Sequence, residues 1–228
     1  MSAHDITLTA ADGFEFPAYV VEPEGTPRGA IVVLQEIFGV NSHIRSVAEG
    51  YAAEGYLAVA PATFSRAQTG VQLGYTGPDM QEGVRLKAAV EALPAPGVLQ
   101  DIQAAVSYAA KAGKVGIVGY CWGGLLVWRS AAQVQGLSAA VAYYGGGMTV
   151  GSEPERKPLV PTIAHFGEKD GHISVESVKA FEAAHPEVKV YLYEADHGFN
   201  CDQRGSYDAP AAKLAKERSL AFFKQHIG

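Results

Sequence analysis

The stretch Gly119-Tyr120-Cys121-Trp122-Gly123-Gly124 indicates a nucleophile held on a sharp turn. The apolar run at 114–119 predicts a strand buried on both faces, and residues 122–133 predict the helix that follows it. Glycines two residues before and two after Cys121 allow the close backbone approach that such a turn needs. The helix N-terminus would also favour a thiolate. A buried, inert cysteine is the alternative, but the strand–turn–helix setting favours the nucleophile.

Strands and helices alternate along the rest of the chain, which predicts an α/β fold with a mostly parallel central sheet and helices on both faces. Two period-2 runs around residues 11–13 predict an opening antiparallel hairpin from 6–10 and 14–22. Further strands are predicted at 30–35, 56–60, 114–119, 138–144, 161–166 and 188–194. Helices are predicted at 43–54, 84–93, 99–112, 122–133, 175–184 and 209–225. Ser42 is the expected N-cap of the first helix, and residues 70–78 are expected to form a long loop.

Composition narrows the class of protein. The 228 residues are 48% hydrophobic, so one large core and a single domain over 1–228 are expected. With 18 Lys+Arg against 24 Asp+Glu, the formal net charge is −6, and no dense basic run suggests a nucleic-acid partner. The two cysteines form no CxxC pattern, so neither a disulfide framework nor a metal is expected. No apolar run of about 18 residues and no signal-peptide pattern occurs, and a soluble, cytoplasmic monomer is therefore expected.

A nucleophile on such a turn needs a base and an orienting acid, which follow it along the chain in the order acid, then histidine. Asp170 follows the predicted strand 161–166, and His197 follows the predicted strand 188–194. Both positions lie at the carboxyl edge of a parallel sheet, where ligands bind. Asp170 is therefore the candidate acid and His197 the candidate base.

Other residues compete for these two roles. Glu168 and Asp196 are alternative acids, although Asp196 adjoins His197 and cannot easily face its ring. His172 is the competing base because it comes two residues after Asp170. His165 falls inside a predicted strand and is interpreted as a core residue.

At this point the sequence resembles the dienelactone hydrolase family. Gln35-Glu36-Ile37-Phe38-Gly39-Val40-Asn41 is similar to the family's post-strand motif, and residues 119–124 resemble its nucleophile turn, in which Cys replaces the usual Ser. The turn with Asp170 and the segment His197-Gly198-Phe199 are similar to its acid and base. The resemblance covers essentially the whole chain, in order. It implies an α/β-hydrolase fold and a hydrolase that cleaves a carboxylic ester or lactone through a Cys-His-Asp triad and a thioester acyl-enzyme, without a metal or cofactor.

The resemblance also implies roles for neighbouring residues. Glu36 would contact the resting thiol of Cys121, and substrate binding would displace it so that His197 forms a thiolate–imidazolium pair. A neutral resting thiol is less prone to oxidation than a standing thiolate. The backbone N–H of Ile37 would be the second oxyanion donor beside the N–H of Trp122.

The residues that would bind a substrate carboxylate depart from the family's pattern. Members that cleave dienelactone use two arginines, and one of them follows the catalytic histidine by four residues, where this chain has Cys201. Arg85 is the basic residue nearest to the second position, but it does not align cleanly. Arg66 or Arg204 could supply a substitute charge. Cys201 itself is either a small apolar filler or a second reactive thiol.

A small aromatic acyl pocket is expected beside Cys121. Its candidate residues are Phe38, Tyr75, Tyr143, Tyr144 and Phe199, and Phe38, Tyr144, Phe199 and Arg85 are the candidate substrate-binding residues. Two other functions remain open: a general carboxylesterase for small substrates, and a non-catalytic protein that binds a ligand or senses oxidants.

Overall fold

An eight-stranded sheet forms the centre of the computed structural model, which describes all 228 residues. Strands β1 (Ser2–Thr9) and β2 (Glu15–Glu22) pair antiparallel and form the predicted hairpin. The remaining strands are β3 (Ala30–Leu34), β4 (Leu57–Pro61), β5 (Val115–Tyr120), β6 (Leu137–Tyr143), β7 (Thr162–Gly167) and β8 (Lys189–Tyr193). They lie in the order β1-β2-β4-β3-β5-β6-β7-β8, and β2 is antiparallel to both of its neighbours. Every other pair is parallel, which confirms the predicted sheet.

Helices cover both faces of this sheet. They are α1 (Ser42–Ala53), α2 (Gly77–Glu91), α3 (Leu99–Ala109), α4 (Trp122–Gln133), α5 (Val175–Ala184) and α6 (Ala209–His226). Gly116 and Gly119 point to opposite faces of β5 because their separation is odd. A Cβ at Gly116 would meet Phe223 of α6, whereas a Cβ at Gly119 would meet Gly123 of α4. These two helices therefore pack on opposite faces.

The middle of the sheet supplies the core. Every residue of β3, β4 and β5 is buried, as expected for parallel strands that are covered on both sides. The loops that follow β3, β5, β7 and β8 all emerge at the carboxyl edge, and they carry the candidate site residues. No helix combines the length and the apolar character needed to cross a bilayer.

Two helix starts differ from the prediction. Helix α1 is capped by Asn41, whose side-chain oxygen accepts a hydrogen bond of 3.2 Å from the N–H of Ile44. Ser42 was expected in this role and is instead the first residue of the helix. The expectation failed because Asn and Ser are about equally good N-caps, so adjacent candidates cannot be ranked by residue type.

Helix α2 begins at Gly77, seven residues before the predicted start at Val84. A capping box stabilises its N-terminus: the hydroxyl of Thr76 accepts from the N–H of Asp79, and the carboxylate of Asp79 accepts from the N–H of Thr76. Pro78 lies in the first turn, where its missing N–H costs nothing. The Gly- and Pro-rich segment is therefore partly the start of a helix and not wholly a loop.

Candidate active site

Cys121 lies between β5 and α4 with an unusual backbone conformation. Its φ is 55° and its ψ is −117°, a region that side-chain-bearing residues rarely adopt. A Cβ at Gly119 would collide with the carbonyl oxygen of Gly123, and a Cβ at Gly123 would lie 2.5 Å from the carbonyl oxygen of Gln35. Glycine is required at both positions, and this close packing explains the spacing of the motif.

The structure brings Cys121, His197 and Asp170 into one hydrogen-bonded chain. Nε2 of His197 lies 3.1 Å from Sγ of Cys121, and Nδ1 of His197 lies 2.7 Å from Oδ2 of Asp170. The other carboxylate oxygen of Asp170 accepts hydrogen bonds of 2.8 and 3.2 Å from the backbone N–H groups of His172 and Ile173. Asp170 is thereby fixed in place and can orient the imidazole ring.

These hydrogen bonds shift the pKa values of His197 and Asp170. Burial alone would lower the pKa of His197, but its hydrogen bonds with Asp170 and Cys121, together with the charges of these groups, raise that pKa to about 10. Burial alone would also raise the pKa of Asp170, but the hydrogen bond and charge of His197 and two backbone N–H groups hold it below its usual value. The site therefore favours an imidazolium at His197 beside the carboxylate of Asp170.

The competing residues occupy other positions. The ring of His172 lies edge-on to that of His197, with 5.2 Å between the ring centroids, and it lines the same cavity. The carboxylate of Asp196 accepts from the backbone N–H of His197, and Glu168 is exposed. His165 is buried, and both of its ring nitrogens are hydrogen-bonded to other buried side chains, as expected of a core histidine.

A cavity of about 230 Å³ opens beside Sγ of Cys121. Ile37 and Trp122, the two expected oxyanion donors, both line it. Its apolar wall includes Phe38, as expected, together with Met80 and Val84, which the sequence did not indicate. The cavity is small and largely apolar, so it suits a compact acyl group.

Two other expected substrate-binding aromatics lie behind the site. Tyr144 and Phe199 are fully buried, and neither lines the cavity. The ring of Tyr144 packs against His197, with 5.1 Å between centroids, and against Phe199, with 5.2 Å between centroids. Tyr144 supports the imidazole and Phe199 packs behind Tyr144, so neither lies at the cavity surface where they were expected.

Two cationic side chains line the cavity, Lys87 and Arg204. Arg85, the expected candidate, is not one of them, because its side chain is 58% exposed and pairs with Glu82. The two positions are two residues apart on α2, and residues so spaced face different directions on a helix. Arg66 also lies elsewhere, since its guanidinium is bound by the carboxylates of Asp12 and Asp101.

Glu36 is fully buried next to this cavity. Its Oε1 accepts a hydrogen bond of 3.2 Å from Arg204, and its Oε2 accepts one of 3.2 Å from the hydroxyl of Tyr75. The resting contact between Glu36 and the thiol, which the resemblance implied, is not the arrangement found here, because Sγ of Cys121 is hydrogen-bonded to His197.

Cys201 is fully buried near Glu36. Burial and the charge of Glu36 raise the pKa of its thiol to about 11, so the neutral thiol is favoured. A neutral, enclosed thiol is a poor nucleophile, which argues against a second reactive cysteine.

Comparison with known proteins identifies the family. The profile of the dienelactone hydrolase family matches residues 16–227. The chain belongs to the dienelactone hydrolase family. A carboxymethylenebutenolidase from Pseudomonas putida is 34% identical over 233 residues, which cover 97% of this chain and 96% of that protein. A crystal structure from Klebsiella pneumoniae, of a protein provisionally named a dienelactone hydrolase, is 32% identical with a TM-score of 0.84, and it covers 99% of this chain and 100% of its own.

A dienelactone hydrolase from Anabaena variabilis shares the same fold at 16% identity, with a TM-score of 0.71, covering 100% of this chain and 99% of that one. The similarity over the full length of the chain confirms the predicted α/β-hydrolase fold. It also confirms the predicted enzyme class, a dienelactone hydrolase-like hydrolase.

Proposed function

We propose that this enzyme hydrolyses carboxylic esters and lactones through a Cys121–His197–Asp170 triad. The hydrogen-bonded chain from Asp170 through His197 to Sγ of Cys121, at the mouth of a small cavity, carries the proposal. Relatives named carboxymethylenebutenolidase support a lactone among the substrates.

In the first half of the reaction, the proton of the Cys121 thiol already lies on Nε2 of His197, and Sγ attacks the carbonyl carbon as a thiolate to form a C–S bond. The electron pair of the carbonyl bond moves to the oxygen, which the N–H groups of Ile37 and Trp122 stabilise. When that pair returns, the C–O bond breaks and His197 protonates the departing alkoxide. In a lactone the leaving oxygen stays tethered to the acyl group.

The second half releases the acid. His197, now neutral, takes a proton from water as the water oxygen attacks the thioester carbonyl. The C–S bond breaks, and Cys121 leaves as a thiolate beside the imidazolium of His197. Asp170 keeps the same tautomer of the ring throughout, since its carboxylate stays on Nδ1.

The charges around the cavity favour a substrate that carries an anionic group. Lys87 and Arg204 face the cavity together with Cys121. A carboxylate at the far end of a small ester or lactone could pair with these cations while its carbonyl lies at Sγ. Arg204 thus supplies a cation that replaces the arginine missing at Cys201. An uncharged small ester is the alternative substrate.

Acyl-enzyme formation tests the triad. We expect Cys121→Ala and His197→Gln to lose aryl-ester hydrolysis by on the order of a thousandfold or more, and Asp170→Asn to lose much of it. Glu168→Gln is the matched control, because this exposed carboxylate lies two residues before Asp170.

Intact-protein mass spectrometry of the slow Asp170→Asn variant, mixed with an ester, should detect an acyl adduct on Cys121. Full activity without Cys121 or His197 would refute the triad. A stable oxidised thiol with no acyl adduct would favour the oxidant sensor instead.

A further inference from the structure

A second group of potential ligands lies behind the catalytic cavity. Glu36, His43 and Cys201 each offer one atom, and these atoms all lie within 4.8 Å of one another. The three residues are 0%, 3% and 0% exposed. They come from the loop after β3, the first turn of α1 and the loop after β8, so no local sequence pattern indicates that they meet.

The ring of His43 is oriented as a ligand would be. Its Nδ1 lies 3.5 Å from a carboxylate oxygen of Asp202, whose side chain is 62% exposed. Its Nε2 is buried and has no hydrogen-bond partner, which is unfavourable for a polar atom. Because Nδ1 faces an exposed carboxylate, Nε2 on the opposite side of the ring points into the protein. Metal-binding histidines commonly donate a hydrogen bond from the other ring nitrogen to a carboxylate, and a small movement of the exposed Asp202 side chain would form that bond.

We propose that Glu36, His43 and Cys201 bind a zinc ion, with Nε2 of His43, Sγ of Cys201 and a carboxylate oxygen of Glu36 as protein ligands. A mixed set of sulfur, nitrogen and oxygen suits Zn²⁺, whereas Mg²⁺ and Ca²⁺ prefer oxygen alone. Ligand atoms around tetrahedral zinc lie roughly 3.5 Å apart, so side-chain shifts of about 1 Å would close the site. Water supplies the fourth ligand.

The charge and proton balance are simple. Cys201 gives up its thiol proton to the solvent, and its sulfur, the imidazole nitrogen and the carboxylate oxygen each donate an electron pair to the metal. No group is oxidised or reduced. The Cys201 thiolate and the Glu36 carboxylate offset the two charges of the ion. Because Glu36 also pairs with Arg204, one positive charge stays with that guanidinium, whose side chain is 16% exposed and keeps contact with solvent.

Glu36 takes part both in the proposed zinc site and in the hydrogen bonds next to the catalytic cavity. Glu36 is hydrogen-bonded to Arg204 and Tyr75, and zinc would compete with them for its oxygens. The triad itself contributes no ligand, so the zinc site and the proposed hydrolysis can each fail without the other.

Metal titration of the full-length Cys121→Ala variant tests the proposal, since this variant removes the catalytic thiol as a competing ligand. Isothermal titration should show one equivalent of Zn²⁺ bound. Co²⁺ should produce the near-ultraviolet charge-transfer absorption of a cobalt–thiolate bond. Replacing Cys201 by Ser in the same background should abolish that absorption. Its persistence, or no binding of either metal, would overturn the site.

Asp202→Asn provides a second test that does not change the interior. We expect zinc affinity to fall about 10- to 100-fold, as is typical when the carboxylate partner of a ligating histidine is lost. Glu54→Gln, an exposed carboxylate directly after α1, is the matched control and should leave affinity unchanged. Equal affinities of the two variants would contradict the assigned role of His43. Near-ultraviolet circular dichroism without metal checks that each variant is folded.

Discussion

Packing against the main chain permits only glycine at position 123. Its α-carbon lies against two main-chain oxygens, those of Leu34 and Gln35, which would be 2.6 and 2.5 Å from an added Cβ. Main-chain atoms at the carboxyl end of a central strand cannot move aside as a flexible side chain can. Residue type and spacing therefore made this turn predictable from the sequence, because no other residue satisfies the packing.

We expect Gly123→Ala to destabilise the protein by about 1–3 kcal/mol, the usual cost of overpacking a core, and to reduce esterase activity by displacing Cys121. Urea denaturation and an aryl-ester assay measure the two effects. Gly77→Ala is the control, because a Cβ there meets nothing within 4 Å. The idea of a packing constraint at Gly123 would fail if both variants had wild-type stability.

The protonation of His197 gives a pH-dependent prediction. Since contacts with Asp170 and Cys121 raise its pKa to about 10, the ring should remain protonated at neutral pH. Histidine-ring NMR across about pH 5–11 measures this directly, and Cys121→Ala should lower the titration midpoint because the sulfur contributes to the shift. A midpoint near 6.5 in both proteins would show that the sulfur has no such effect.

The raised pKa of His197 also predicts how the stability of the protein changes with pH. The folded pKa of His197 lies above its unfolded value of about 6.5, so the stabilisation is complete below that pH and is lost as pH rises toward 10. The difference in free energy of unfolding between wild type and Cys121→Ala should therefore change across this window.

Among the elements, α2 shows the limit of prediction from sequence. Gly77 and Pro78 were expected to belong to the loop 70–78 because these residue types usually mark turns, and the helix was predicted to begin only at Val84. The capping pair Thr76 and Asp79 was the available signal for the true start. With that start, Met80, Val84 and Lys87 follow the i, i+4, i+7 spacing of one helix face and could have been assigned to the cavity.

The position of Lys87 on this face predicts selectivity. We expect Lys87→Gln to lower kcat/KM for an ester with a distal carboxylate several-fold, and to leave kcat/KM for the uncharged analogue nearly unchanged. Arg85→Gln is the matched control on the same helix, since its side chain points to solvent and pairs with Glu82. Equal effects on both esters would indicate an uncharged natural substrate.

At the scale of the whole molecule, hydrophobic periodicity was sufficient to predict the alternation of strands and helices. It could not indicate which distant loops meet. Arg204 reaches Glu36 across 168 positions of sequence, and nothing local to either residue marks the pair. The contact among Cys121, His197 and Asp170 was easier to predict, because a known order along the chain links a nucleophile on such a turn to its acid and its base.

Arg66 joins three distant parts of the fold. It follows β4, and its guanidinium binds Asp12 in the turn of the first hairpin and Asp101 in α3. The Asp101 side chain is only 1% exposed, so Arg66→Met would leave a buried carboxylate without its partner. We expect a loss of about 3–5 kcal/mol in the free energy of unfolding by urea denaturation, with esterase activity retained below the transition.

Arg85→Met is the control for this loss, because the pair of Arg85 with Glu82 is exposed and an exposed ion pair contributes little to stability. If Arg66→Met were as stable as Arg85→Met, the ion pairs of Arg66 with Asp12 and Asp101 would not contribute to the free energy of unfolding.

The separation of the triad along the chain also orders events during synthesis and refolding. The turn that holds Cys121 packs against β3, β5 and β6, which are complete by residue 143, whereas the proposed base His197 comes 76 residues after Cys121. A chain in which that segment has not yet docked lacks the group that accepts the thiol proton. The recovery of ester hydrolysis after dilution from urea would therefore show when β8 and the loop after it dock on the sheet. Intrinsic fluorescence from the early helices could recover sooner.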